Sequence, residues 1–462
     1  MNQIYFNRKM PKTLLTNSLA ILPMTPGDQI LHNHEILLDD GKIEAIQPAG
    51  TTKPENATTI NTKHGIILPG LVNAHAHLPM SFFRGICHSR PEILYEVVYP
   101  IEKHLTPQEI YPLTMLGLLE TTRAGVTCTG DHYFFEEEVA KAVTDAGVRG
   151  VLGETISTYG GSLSSKDSLS KGLDFASAWK QKNKLIRTIL SPHASDTVDP
   201  EWFKAIINAS EKEHLGIHLH LAQSRREVSF VESKYGKTPV QHVADLGVLG
   251  PRTLAAHCIH VNNNDIEILA KYKTNIGHCP ASQLLFEQLA PLHEFIKSGI
   301  SIAIATDASC SNDDMDLLKE LRITALAHSA RSGTPHMFKA MELLKMATIN
   351  GAKAIGVEKE IGTLEAGKRG DIIVIRTDSP RMNPLHDIPN TIVFSASTDE
   401  VDIVMVDGEI RYSRELGWPG INAQEIINEA NRATELLCKK AQKEDPKIKD
   451  LFESRYWGQT SL

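Results

Sequence analysis

The feature that most constrains this chain is a series of short apolar runs, each closed by a polar residue and followed by a stretch of different periodicity. LPGLVNAHAH, GVTCTGD, RGVLGET, RTILSPH, GIHLHLA, RTLAAHC, TNIGHCP and ISIAIATD succeed one another through the middle of the sequence. Between them, EEEVAKAVTDAG, PEWFKAIINASEKEH and PLHEFIKSG place apolar residues at helical spacing. Parallel strands cannot be joined by a hairpin and need a crossover, which a helix supplies, so the alternation predicts an α/β fold with a parallel sheet. Eight runs are enough for a (β/α)8, TIM-like barrel, expected over residues 67–365. In such a barrel the C-terminal ends of the strands meet at one mouth, so the histidines and aspartates that close these runs converge despite their separation in sequence.

The flanks read differently. TLLTNSLAIL, HEILLDD, KIEAIQPAG and GIILPG before the barrel, and GTLEAGKRGDIIVIRTD and DIVMVDGEIRYSRE after it, are short β-prone runs broken by Gly, Pro, Asp and Asn. Residues 1–66 and 366–421 are therefore expected to form one small discontinuous β-sandwich, and 422–462 a helical tail that packs or joins an interface. The chain has 48 basic and 56 acidic residues, a net charge of −8, and so lacks the basic surplus of a nucleic-acid binder. Its 6 cysteines show no paired short spacing, which argues against a disulfide framework and for a reducing cytoplasm. MNQIYFNRKMPKTLL has no secretory apolar core, and no later stretch approaches a membrane-spanning length. SNDDMD, 311–316, reads as a helix start capped by Asn312, Asp313 or Asp314.

The chemistry begins with His75 and His77. Residues i and i+2 of a strand share a face, so both imidazoles can reach one ion. His220 and Asp307 close two further runs and add a third nitrogen and a carboxylate oxygen. This donor set suits one divalent ion, Zn²⁺ first and Fe²⁺ or Mn²⁺ next, with a position left for water. RTILSPHAS offers no lysine for carbamylation, which favours a single ion. Such an ion lowers the pKa of bound water from 15.7 to about 7, so a hydrolase is expected, with Asp307 both ligand and proton acceptor. His257 ends the next strand and is placed to steady a developing oxyanion. His132, His193, His260 and His278 would line the pocket or hydrogen-bond the ligands, and Cys279 and Cys310 would fill space.

LPGLVNAHAHLPMSFFRG, SPHASDT, HLHLAQ, LAAHCIH, GHCPAS, IATDASCSNDDMD and IGTLEAGKRGDIIVI together resemble the amidohydrolase superfamily, in its branch of aromatic-base deaminases and triazine hydrolases. The resemblance spans nearly the whole chain. Through Arg84-Gly85, SPHASDT and AHCIH it is nearest to the S-adenosylhomocysteine and 5′-methylthioadenosine deaminases. It implies His75, His77, His220 and Asp307 as ligands and His257 and Asp307 as catalytic; Gln223, His193, Arg84, His132 and His257 form the candidate substrate-binding set. Two positions depart from the branch. Gln223 stands where those deaminases carry a proton-passing glutamate, and an amide has no titratable proton near neutral pH. ICHSRPEILYEVVYP lacks the Asp-Asp-Leu-Pro run of nucleoside-type members. GDHYF is similar to a motif of hydroxyatrazine and oxopurine aminohydrolases, whose lactam substrates an amide at 223 could complement.

The expected activity is hydrolytic deamination of an aminated N-heterocycle, whether purine, adenosine-type thionucleoside, oxopurine or pterin, with release of ammonia and Gln223 among the catalytic groups. The alternatives are a triazine-type hydrolase releasing alkylamine or chloride, and a metal-binding sensor or scaffold without catalysis. The expected partner is a small-molecule heterocycle, with neither nucleic acid nor membrane; the resemblance also implies a homo-oligomer.

Overall fold

The computed structural model describes residues 11–51, 57–87 and 94–453. Residues 1–10 of the N-terminal reading, 88–93 of the segment after Arg84 and 454–462 of the tail lie outside the described residues.

Eight parallel strands form the centre. β1 (Leu71–Ala76), β2 (Val126–Tyr133), β3 (Arg149–Ile156) and β4 (Ile186–Thr188, resumed at Ser191–Pro192) pair in chain order. So do β5 (Ile217–Leu221), β6 (Thr253–His257), β7 (Asn275–His278) and β8 (Ile302–Ile304). Parallel bridges Leu190↔Ile217 and Ala194↔His220 join the first set to the second, and Ala76↔Asp307 returns to β1, so the strands close into a barrel. Every residue of β1, β2 and β5 is buried, as expected for strands covered by helices outside and side chains inside. The eight apolar runs of the sequence are these eight strands. Gly130 lets β2 press against β1, because a Cβ there would lie 2.5 Å from the Ala74 carbonyl oxygen.

The crossover helices follow from the same residues. In Glu136–Ala146, Val139, Ala140, Val143 and Ala146 form the buried face, three glutamates occupy the positive first turn, and Gly147 at φ 66° ends it in the left-handed region. The helix Leu317–Ser332 is capped by Asp316, which accepts from the amides of Leu318 (2.9 Å) and Lys319 (3.3 Å). The capping expected of Asn312, Asp313 or Asp314 is therefore corrected. Those residues are engaged upstream of the helix start, Asn312 donating to Glu320 at 2.7 Å and Asp313 accepting from the Gly85 amide at 2.8 Å.

Strands from both ends of the chain build two further sheets. One orders Lys42–Pro48, His34–Asp39, Thr13–Thr16 and Thr58–Asn61; the other orders Glu409–Ser413, Val401–Val406, Ile372–Ile375, Ile66–Pro69 and Ala20–Ile21. Their facing side chains, among them Leu15, Ile36, Ile67, Ile372 and Met405, share one apolar cluster. Ile66–Pro69 runs across the expected boundary at 66/67, pairing with Ile372–Ile375 immediately before the chain enters β1. Arg149 on β3 forks onto Asp371 with bonds of 3.0 and 2.8 Å, and both side chains are almost completely buried, which ties barrel to sheet. In the tail, Ala430, Ala433, Leu437 and Ala441 of Ala423–Glu444 share a cluster with Ile110 and Leu113 of Pro107–Arg123, and Lys440 bonds Glu109 at 2.7 Å.

Candidate functional site

The barrel mouth collects the residues that close its strands. His75 and His77 leave β1 on one face, His220 comes from β5, His257 ends β6, and Asp307 follows β8. The Asp307 Oδ1 atom lies 3.6 Å from His75 Nε2 and 3.3 Å from His77 Nε2. The Nε2 atoms of His77 and His220 are 3.3 Å apart. Donor atoms of His75, His77 and Asp307 lie within 4.8 Å of one another, and so do those of His75, His220 and His257.

The other ring nitrogens are committed elsewhere. His77 Nδ1 donates to the His132 carbonyl (2.5 Å), and His220 Nδ1 to the His193 carbonyl (2.9 Å). His75 Nδ1 meets His218 Nε2 at 2.7 Å, while His75 Nε2 is buried with no hydrogen-bond partner. A carbonyl only accepts, so the protons of His77 and His220 sit on Nδ1 and their Nε2 lone pairs point at each other. Lone pairs aimed at one another and at a carboxylate make an arrangement that a cation completes, so the donor set fits a divalent metal ion.

Four backbone positions at this mouth are held in the left-handed region: Ala222 at φ 50°, His257 at 74°, Cys258 at 47° and Asp307 at 60°. Each costs of the order of 1 kcal/mol or more for a non-glycine residue, and this turns the chain sharply just where a side chain must be aimed inward. The Asp307 amide is anchored by donating to the His75 carbonyl at 3.1 Å. Its Oδ2 accepts from Ser282 Oγ at 2.6 Å, leaving Oδ1 toward the imidazoles.

Burial sets the charges. It pushes the His75 pKa down to about 3 and holds His220 well below its ordinary value, so both imidazoles are neutral at pH 7, the form that can bind a metal ion. Burial also works against a charged Asp307, but the imidazoles of His75 and His77 override it and hold the carboxyl well below the usual range. For His77 burial is likewise outweighed by Asp307, and its pKa rises. A cation held between them would compete with protonation of His77.

Above the ligands opens a cavity of about 410 Å³. Gln223, His193, His132 and His257 all line it, together with Tyr95, Tyr99, Glu102, Tyr133, Asp196, Arg226 and Phe286. Gln223 is held through its backbone: Glu227 accepts from the amides of Gln223 (2.8 Å) and Ala222 (3.0 Å) and from Ser195 Oγ (2.5 Å). His193 Nδ1 bonds Thr197 Oγ1 at 2.8 Å. His132 is buried with neither ring nitrogen partnered.

Arg84 stands apart. It is exposed, does not line the cavity, bonds the Asp313 carbonyl at 2.7 Å and pairs with Glu120, so its guanidinium is engaged away from the mouth. His278 is likewise outside, 3.0 Å from His328, and His260 pairs with Glu287 at 2.8 Å. Cys279 is buried, while Cys310 reaches the cavity wall.

Sequence reasoning did not single out His218, Ser282, Glu102 or Asp196. His218 carries a readable signal, since in GIHLHLA it stands at i−2 from His220 on the same strand face. Glu102 has no such signal. It lies in a helix before β2 and becomes part of the wall by accepting from Tyr133 Oη (2.5 Å) and Ser162 Oγ (2.6 Å).

The amidohydrolase family profile matches residues 66–411. Over 433 residues the chain is 32% identical to a 5′-deoxyadenosine deaminase of Methanosarcina acetivorans, an alignment covering 93% of this chain and 99% of that protein. Over 407 residues it is 36% identical to a 5-methylthioadenosine/S-adenosylhomocysteine deaminase of Moorella thermoacetica, covering 87% and 94%. Its structure superposes on an adenosine deaminase from Xanthomonas campestris with bound zinc at a TM-score of 0.87, with 25% identity and 92% and 98% coverage. The fold is also that of zinc-complexed atrazine chlorohydrolase from Arthrobacter aurescens, at a TM-score of 0.84, 24% identity and 91% and 100% coverage. A parallel barrel, histidines and an aspartate converging at its mouth, and a family match over most of its length agree: the chain belongs to the amidohydrolase family.

Proposed function

We propose that the protein is a hydrolytic deaminase of adenosine-type nucleosides, working with one zinc ion held by His75, His77, His220 and Asp307. The observation that carries this is the set of Nε2 lone pairs and one carboxylate oxygen facing each other on the floor of a cavity large enough for a heterocycle. The names of relatives at 32% and 36% identity supply the substrate class. The zinc-bound neighbour supports the metal. With a divalent ion bound, the site gains Lewis acidity that brings the pKa of water from 15.7 to about 7.

The chain's own groups divide the remaining tasks. Asp307 takes the proton of the attacking water as its oxygen bonds the amine-bearing ring carbon, and passes that proton to the amine as the exocyclic C–N bond breaks and ammonia departs. Ser282 keeps the second carboxylate oxygen occupied, so the proton is received at the oxygen turned toward the imidazoles. His257 steadies the charge that develops at the ring. Gln223 presents an amide to the ring edge, donating and accepting without giving up a proton, and His193 and His132 bound the ring from the wall. Arg84 takes no part.

Incubation of the zinc-loaded protein with adenosine, 5′-methylthioadenosine, aminated oxopurines, pterins and triazines is expected to release ammonia from the nucleosides. Chloride or alkylamine from a triazine, with no ammonia from any ring, would establish the second reading. No product from any ring, with zinc still bound, would leave a metal-binding sensor or scaffold. All six cysteines are free and buried, and no helix among the described residues is long and apolar enough to cross a membrane. We place the enzyme in the cytoplasm on that support, with a small molecule as its partner and self-association to be read from its mass in solution.

A further inference from the structure

Glu320 is a buried carboxyl that the chemistry above does not use. It lies in the helix Leu317–Ser332 after β8, is wholly buried and is not among the residues lining the cavity. Its two oxygens go to different elements. Oε2 accepts from the Ala281 amide at 3.1 Å, at the start of the helix Pro280–Phe286 after β7. Oε1 accepts from Asn312 Nδ2 at 2.7 Å, and the same Nδ2 reaches back to the Thr306 carbonyl at 3.3 Å. A carboxyl held in a dry core by neutral donors costs free energy that an apolar residue of similar size would not. Packing alone gives no reason for one there.

The two anchored residues each precede one member of a pair. Ala281 precedes Ser282, Thr306 precedes Asp307, and Ser282 Oγ donates to Asp307 Oδ2 at 2.6 Å. One carboxyl therefore ties the chain on both sides of that bond, reaching Ser282 through one peptide unit and Asp307 through the Asn312 side chain. Thr306 is held from the other direction by Asn73 of β1, which accepts from the Thr306 amide at 3.1 Å and donates to its hydroxyl at 2.7 Å. Ser311 Oγ is farther from the same carboxylate oxygen, at 3.4 Å, so which hydroxyl occupies Oδ2 depends on where the turn at Ala281 is held.

We propose that Glu320 is a positioning residue for Asp307: it holds the Ser282 hydroxyl on Oδ2 and so keeps Oδ1 turned toward the imidazoles. It acts through Ser282 and meets neither substrate nor metal. This rests on the reading of Asp307 as metal ligand and proton acceptor and deepens it.

The test is a double-mutant cycle of Glu320→Gln and Ser282→Ala in the full chain, read first by zinc competition titration of the apo-proteins. An amide has one accepting oxygen, so Glu320→Gln keeps one of the two bonds and turns an NH2 group against the other donor. Ser282→Ala is expected to lower zinc affinity by about tenfold and Glu320→Gln by about threefold to tenfold, with the double variant within about twofold of Ser282→Ala alone. On the zinc-loaded proteins, ammonia release should show the same pattern in kcat, with KM changed less than about twofold. Urea unfolding establishes that each variant is folded; should Glu320→Gln not fold, Asn312→Ser, which cuts the other arm, takes its place in the cycle. Losses in zinc affinity that multiply would make Glu320 a packing residue and overturn the proposal, as would a zinc affinity of Glu320→Gln within about twofold of wild type. A wild type that binds zinc but deaminates nothing would refute the deaminase reading, and the zinc cycle would still decide the role of Glu320.

Discussion

Replacing His218 should weaken metal binding although His218 is not itself one of the four proposed ligands. His75 reaches the ion position through Nε2, which must therefore be unprotonated, so its proton belongs on Nδ1. That nitrogen lies 2.7 Å from His218 Nε2, which accepts its proton when His75 Nε2 is turned to an ion and so favours that tautomer. Both rings are completely buried, so no water takes over the bond. In His218→Leu, His75 either keeps a buried, unpaired N–H, costing about 1–3 kcal/mol, or moves the proton to Nε2 and ceases to be a ligand. Outer partners of metal-bound histidines are worth about 10–100-fold in affinity, and at about 1.4 kcal/mol per tenfold this is about 1.4–2.8 kcal/mol, the same range. The assay is a zinc competition titration of the apo-protein against a chromophoric chelator. His218→Gln, which returns an acceptor oxygen, should recover part of the affinity. Zinc affinity of His218→Leu within about twofold of wild type would refute the tautomer reasoning.

Other consequences are as direct. Ser282→Ala removes the hydroxyl that occupies Asp307 Oδ2 and should lower kcat by about tenfold with little change in KM; the opposite split in steady-state kinetics would place Ser282 in substrate binding. Gln223→Glu should raise turnover of adenosine-type nucleosides, as measured by ammonia release, if a ring nitrogen must be protonated, and abolish activity on lactam rings if the amide is a specificity group. Asp371→Ala strips Arg149 of its bidentate partner in a dry setting and should cost about 3–5 kcal/mol in urea unfolding, reduced by Asp407 at 3.7 Å; a shift below about 1 kcal/mol would show that Asp407 replaces Asp371 outright. Burial pushes His193 and His328 down to about 4 from an ordinary 6.5, so the unfolded chain takes up these protons first. Stability of the apo-protein from these groups is therefore complete above pH 6.5 and is lost as pH falls toward 4, and an unchanged urea midpoint between pH 7 and pH 5 would contradict it.

The barrel strands and the residues proposed as metal ligands were legible because both obey local rules. A buried parallel strand is a continuous apolar run, and a side chain that closes such a run must lie at the mouth, so His75, His77, His220, His257 and Asp307 could be read in order along the chain. Gln223 was visible only through the family resemblance, which sets a glutamate three residues after His220. Arg84 shows where that reasoning ends. Its place in a motif suggested a substrate contact, but Glu120 and Asp313, distant in sequence, hold it elsewhere.

What only the tertiary structure decided are relations among groups with no fixed spacing. The proton positions on three imidazoles depend on the His132 and His193 carbonyls and on the His218 ring, which β2, β4 and β5 bring alongside. The charge states of Asp307 and His77 depend on burial and on each other. Apolar periodicity and strand-end position are carried by consecutive residues, so the sequence alone determines where the proposed ligands stand. Hydrogen bonds, desolvation and charge pairing act through space, and so what those ligands can hold, and what the cavity above them can select, was decided by the fold.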